Sequence, residues 1–228
     1  MKQYINKMTA VILLAFCLYS FFSIVLYSSR NILSLESVVF EKSLRFMPWN
    51  LFLAFLPLLF SNLLRLCVKF EHKTGAIISG VFWLIFFPNA PYVITDIIHL
   101  SNYKYHASGY VRELAPWISL LYIISGVIIG TLMGLMSLRI IHGEIIRIKG
   151  KRIAGCAVVG IAVISGYAVY IGRFLRFNSW DILRPIDLLM KIVDKSDLFS
   201  VIFTLSMTLY ILFTYRIFCL LKEGSLHE

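Results

Sequence analysis

Six stretches of this chain are apolar for so long that no soluble arrangement could hide them, and this limits the fold more than any motif does. They run over 8–27, 49–68, 74–87, 115–138, 153–172 and 198–221. Crossing a hydrocarbon core of about 30 Å takes about 20 residues of helix at a rise of about 1.5 Å each. Only the third run falls clearly short of that length. With 59% hydrophobic residues, 15% charged residues and a mean hydropathy of +0.82 over 228 residues, the chain has too little polar surface to wrap a soluble domain. Backbone polar groups find no water inside a bilayer, so spans of this length have to be helical. The sequence therefore predicts an all-α, polytopic membrane helix bundle of about six spans, in one integral membrane domain over 1–228. Lys2 and Lys7 precede the first run as in a signal peptide, but the run is too long and no small-x-small cleavage site follows it. It reads as an uncleaved anchor.

The four cysteines, Cys17, Cys67, Cys156 and Cys219, fall within or at the ends of the spans, without the close partners of a redox or metal motif. They read as small apolar packing residues. The net charge of +10 is spread through the loops, with no RNA-binding or helix-turn-helix signature, so a nucleic acid partner is not expected. Lipid headgroups and membrane orientation explain the charge better. Lys and Arg divide almost evenly between the two sets of loops, and the short loop "RIIHGEIIRIKGKR" breaks the tie, because short loops dominate the positive-inside rule. It carries Arg139, Arg147, Lys149, Lys151 and Arg152 against Glu144 alone. Both termini are then expected in the cytoplasm, in the cell membrane.

Gly126, Gly130 and Gly134 repeat every fourth residue in the fourth span, and Gly155, Gly160 and Gly166 punctuate the fifth. Such small residues let helices approach closely, and the two spans are expected to be neighbours. A phosphate loop is not expected, since its glycines sit at a strand-to-helix turn.

The short third run leads directly into "LIFFPNAPYVITDIIHL", where two prolines, an asparagine, an aspartate and a histidine interrupt apolar sequence. As a helix, 74–87 would cover only about 21 Å, so the crossing is expected to continue into the motif. Pro88 and Pro91 lack amide protons and disfavour helical angles in the residues before them. The span is therefore predicted to break at Pro-Asn-Ala-Pro, with Asn89 capping the restart through its side-chain oxygen. Asp96 and His99 then share a helix face. A second polar cluster, "GRFLRFNSWDILRP", follows the fifth span with Arg173, Arg176, Asn178 and Asp181. A third signal, "PWNLFLAFLPL", puts Asn50 at the start of the second span. In a six-span topology all three lie on one side, the outer one if the N-terminus is cytoplasmic.

The segments "WNLFLAFLPL", "FFPNAPYVITDIIHL" and "GRFLRFNSWDIL" resemble the signature segments of the bacterial membrane proteins grouped as domain of unknown function 1361. The resemblance runs from the second span onward. It implies a bacterial multi-span membrane protein and supplies no activity.

Polar groups at membrane depth are by default functional candidates. The residues expected to converge are Asp96, His99 and Asp181 as candidate acid, base or catalytic groups, with Asn50, Asn89, Arg173, Arg176 and Asn178 as ligand-binding groups. Arginines can hold a phosphate bidentately, which suits an anionic lipid or an envelope-linked substrate. Asp96 and His99 form a weak metal-ligand pair, and no complete catalytic motif such as HExxH or GxSxG is present. Two readings without catalysis stand beside this one: a transporter subunit, since broken helices serve anionic substrates in many transporters, or a structural protein of envelope assembly. Ion pairing and snorkelling of arginines would account for the same residues in the structural case. Alkaline phosphatase fused after Gly109 or after Asp194 is expected to be active, and fused after Lys149 inactive; the opposite pattern would invert the orientation.

Overall fold

The structure, a computed structural model, describes residues 2–29, 38–102, 114–175 and 197–224. Every element there is helical: α1 (Lys2–Ser29), α2 (Val38–Lys69), α3 (Lys73–Phe86), the single turn α4 (Asn89–Tyr92), a 3₁₀ segment (Val93–Asn102), α5 (Leu114–Lys149), α6 (Lys151–Tyr170), a π turn (Ile171–Leu175) and α7 (Leu198–Gly224). Six helical runs are long and apolar enough to cross a membrane, with boundaries at Lys7–Ser28, Arg45–Lys69, Lys73–Ser101, Pro116–Lys149, Lys151–Leu175 and Leu198–Leu221. The described residues form an all-α bundle of six such spans. Its surface carries large apolar side chains such as Val11, Phe21, Ile77, Leu121, Leu209 and Phe213, as a lipid-facing surface requires. α2 packs mainly on α5 and α3, and α6 on α7.

The third span shows how the chain carries two prolines across. α3 stops at Phe86 and α4 resumes at Asn89, and the turn between them, Phe87 (φ −55°, ψ −38°) and Pro88 (φ −59°, ψ −22°), keeps right-handed angles and does not swing to the extended ones expected before Pro88. Leaving the helix would expose backbone groups that a bilayer cannot solvate, and Phe87 is itself buried against Trp83. The hydrogen-bond ladder changes partners instead. The Ala90 amide bonds to Phe87 O, three residues back, at 3.1 Å, and the Tyr92 amide bonds to Pro88 O at 3.0 Å. Phe86 O, which Ala90 would have used in a regular helix, receives the Asn89 side-chain amide at 2.9 Å. Asn89 is therefore not the N-cap predicted from the sequence. Its side chain donates backwards to close α3, and Pro88 holds the cap position without a side-chain bond. The 3₁₀ segment beyond rises about 2.0 Å per residue, and so helps a run that begins with only 14 residues of α-helix to complete a crossing.

Two other boundaries differ from the sequence reading. α2 begins at Val38 and contains Pro48 and Pro57, so Asn50 lies within a helix and not at its first turn. α5 continues past Leu138 to Lys149 and turns at Gly150, whose φ of 85° suits glycine, straight into α6. Leu138, Ile141 and Ile145, spaced three and four residues apart, pack in one cluster there, and that helical spacing carries the element through the charges that lower its hydropathy. Arg139 and His142 are therefore helical residues, and the connecting loop is little more than Gly150.

The glycines of α5 are packing sites, but not against α6. A Cβ on Gly130 would stand 3.2 Å from both Leu51 and Val93, one on Gly134 would stand 2.6 Å from the Cβ of Ala90, and one on Gly126 would overlap Met47. This stripe receives α2 and the third span. Buried Leu51, Ala54, Ala90, Val93, Ile123 and Val127 surround it as one cluster. In α6 the close approach is to α7, where a Cβ on Gly166 would stand 2.7 Å from Thr204 O, while Gly155 and Gly160 face open space. Gly166→Ala meets backbone that cannot rotate away and is expected to cost about 1–3 kcal/mol as an overpacked contact. Gly155→Ala should be neutral or stabilising by up to about 1 kcal/mol through helix propensity. Thermal unfolding of the detergent-solubilised protein separates the two, and equal effects would show that the α6–α7 approach is looser than described.

Candidate functional site

Asp96 lies in the 3₁₀ segment with 2% of its side chain exposed. A carboxylate held so deep is unfavourable unless donors surround it. Two other spans supply them. Asn50 of α2 donates Nδ2 to Asp96 Oδ2 at 2.7 Å, and Arg173, from the π turn that ends the fifth span, brings Nη1 to 3.6 Å from Oδ1. The guanidinium also donates to the Tyr92 hydroxyl at 3.4 Å and lies over the Tyr92 ring, 5.9 Å from its centroid. Tyr92 is four residues before Asp96, so both present to Arg173 from neighbouring turns of one segment.

The ends of the second, third and fifth spans thus meet, and of the residues expected to converge Asn50, Asp96 and Arg173 are in contact. The π turn matters here. One extra residue per turn re-aims the side chains that follow it, and such bulges recur at functional sites. His99 is three residues beyond Asp96, and in a 3₁₀ segment residues three apart eclipse, so the two share a face more directly than in an α-helix. Its ring packs on Phe46 with centroids 4.6 Å apart, within electrostatic reach of Arg173. Asn89 takes the place already described, bonded to Phe86 O. Arg176, Asn178 and Asp181 lie outside the described residues. Among the described residues no three His, Cys, Asp or Glu side chains gather in one place.

Sequence reasoning missed three contributors. Tyr92 could have been found from its position one turn before Asp96. Tyr19 and Tyr122 had no such signal, because hydroxyl residues are scattered through both apolar runs and form no motif. Their rings stack at 4.8 Å, Tyr19 donates to Tyr122 O at 3.1 Å, and the Tyr122 hydroxyl bonds Ser23 Oγ at 2.8 Å. Tyr19 also lies within electrostatic reach of Asp96, so the first span joins the polar region from the side.

Buried polar groups drawn from five spans of an apolar bundle define an integral membrane protein whose helices are tied together by hydrophilic contacts. The family described as "Protein of unknown function (DUF1361)" matches residues 49–214, and the chain belongs to it. No curated protein and no solved structure matches the chain. Asn50, Asp96, His99 and Arg173 all fall within the matched region.

The geometry predicts how the donors share the load. Asn50→Leu removes the shorter contact to a buried carboxylate and should destabilise the protein by about 1–3 kcal/mol. Adding Asp96→Leu should recover part of that loss, because no acceptor is then left without its donor. A double-mutant cycle read by unfolding in detergent tests this; strict additivity would mean that the two side chains do not interact in the folded protein.

Proposed function

We propose that the chain is a multi-pass protein of the bacterial cell membrane, with both termini in the cytoplasm, whose outer end binds an anionic group carried by a lipid or another envelope-linked substrate. One observation carries this reading: Arg173 is positioned by its partners without being consumed by them. Its contact to Asp96 is a single approach at 3.6 Å and its bond to Tyr92 is 3.4 Å, while 19% of its side chain reaches the surface. A guanidinium has five donors in a planar fork, and a structural Arg–carboxylate pair normally uses two of them in parallel and at shorter range. Here the fork is steered by Asp96 and Tyr92, and donors remain for an oxyanion. Arg176 and Asn178 follow within one to two turns in sequence and join the proposal on that ground. His99 adds a group that can exchange a proton at the same place. That favours chemistry on the bound group over a purely structural role, with Asp96 and Asp181 as the other proton-transfer candidates.

The test is to purify the protein in mild detergent and measure co-purified lipid by mass spectrometry. Arg173→Gln is expected to lower retained anionic lipid about tenfold or more, the effect of losing a charge-assisted bond of about 1.5–3 kcal/mol. Arg173→Lys should retain an intermediate amount, since the charge stays and the fork is lost. The amount of protein in the membrane should not change. Equal lipid retention in all three proteins would leave Arg173 as a structural partner of Asp96, and substrate flux into liposomes would favour the transporter reading.

A further inference from the structure

A second polar group lies toward the opposite end of the bundle, away from Arg173. His142 of α5 and Tyr215 of α7 are joined by a 2.7 Å bond between Nδ1 and the hydroxyl. Arg139, one turn before His142, lies within electrostatic reach of both, and the Tyr215 hydroxyl is within hydrogen-bonding reach of Arg139 and Cys219. Tyr215 and Cys219 are buried in one cluster with Trp83 of α3. The Trp83 side chain is 2% exposed, and its Nε1–H has no acceptor among the described residues.

Three features make this group unlike ordinary packing. The first is depth. In the α5–α6 hairpin, Arg139 precedes the Gly150 turn by eleven residues, about 16 Å of helix, and is flanked by the buried Leu138, Ile140 and Ile141. The second is charge. Arg139 is half-buried, and among the described residues no carboxylate pairs with it: Glu144 pairs with Arg147 at 2.7 Å, and Asp96 with Arg173. A fixed cation within a span is ordinarily paired or functional. The third is polarity of a single kind. Trp83 Nε1 is a donor only, and the guanidinium is a donor only. When the Tyr215 hydroxyl donates to His142 Nδ1, the remaining imidazole N–H is a donor as well. Apart from the Tyr215 oxygen, which lies within hydrogen-bonding reach of Arg139, the cluster offers hydrogens and positive charge and lacks, among the described residues, an acceptor of matching charge.

We propose that Trp83, Arg139, His142 and Tyr215 form a second anion site, on the Gly150 side of the bundle, that binds a phosphate-class oxyanion. The proposal does not rest on the Arg173 pocket, because the two share no residue. The oxyanion supplies what the cluster lacks: a negative charge for Arg139 and an acceptor for the buried indole. The same chemistry is presented by inorganic phosphate from solution and by the phosphate of a lipid entering from the leaflet on that side.

The test uses full-length Arg173→Gln protein, so that the other pocket does not contribute. Two probes are applied: radiolabelled inorganic phosphate with protein in phosphatidylcholine nanodiscs, and phosphatidylglycerol retention measured by native mass spectrometry. One equivalent of one probe is expected to bind. Adding Arg139→Gln should weaken it about tenfold or more, the loss of a charge-assisted bond, Arg139→Lys should weaken it less, and Trp83→Phe should weaken it several-fold while keeping the ring in place. Phosphate binding assigns a dissolved anion, and phosphatidylglycerol retention alone assigns a headgroup. Absence of both probes, or binding that neither Arg139→Gln nor Trp83→Phe alters, overturns the proposal. If Arg139→Gln loses its unfolding transition, Trp83→Phe decides alone, and unchanged occupancy in that variant overturns the site.

Discussion

A carboxylate set deep in a span has to be held by donors from other spans, and much of this bundle's arrangement follows from how Asp96 is held. Its own segment supplies Tyr92 one turn back, but no charge to balance it. Asn50 therefore has to arrive from α2 and Arg173 from the end of the fifth span, and neither can do so unless the second, third and fifth spans close on one another at that end. A lipid bilayer makes this condition strict. Water cannot replace a missing partner there, so the polar contacts select one packing among the many that an apolar surface would tolerate.

The third span meets that demand by an unusual backbone. Two prolines remove two amide donors, yet the chain stays helical because the ladder shifts to shorter-range bonds and the Asn89 side chain takes over the freed Phe86 carbonyl. The 3₁₀ geometry that follows brings Asp96 and His99 onto one line. It also thins the segment, and a thin segment needs a close neighbour. That neighbour is α5, whose Gly130 and Gly134 leave room for Val93 and Ala90. Proline motif and glycine stripe are far apart in sequence, but each supplies what the other's geometry requires.

Fold class was legible because it rests on run length and composition, which a bilayer reads almost directly. The side on which Asn50, Asp96 and Arg173 meet was legible for a similarly coarse reason, since loop parity alone brings them together. What could not be read is whatever depends on local competition. Phe87 was expected to leave the helix before Pro88, because that preference is real in water, where a freed backbone group costs little. In the bundle the cost is larger, and Phe87, as the residue that caps α3, keeps right-handed angles. Asn89 was expected to accept and instead donates, because the vacated group is a carbonyl of the preceding helix. Arg139 was assigned to a loop because hydropathy falls there, although the buried isoleucines beyond it keep the helical period. Tyr19 and Tyr122 gave no signal at all, since a hydroxyl scattered among others in an apolar run marks nothing until its partner is known.

The π turn at Ile171–Leu175 connects the architecture to the chemistry. A regular continuation of α6 would set the side chains beyond Tyr170 on the same stripes as those before it, and that stripe packs against α7 through Tyr170, Phe199 and Phe203. The extra residue changes the phase. Phe174 stays with the aromatic group, 5.0 Å from both Phe199 and Phe203, while Arg173 is turned toward the third span. One short element thus keeps an apolar anchor on α7 and delivers a charge to Asp96. The guanidinium is fixed at its base by ring packing on the neighbouring residue and at its tip by Asp96 and Tyr92. An arginine held in this way loses little further freedom when an anion arrives, which is the condition under which charge complementarity becomes affinity.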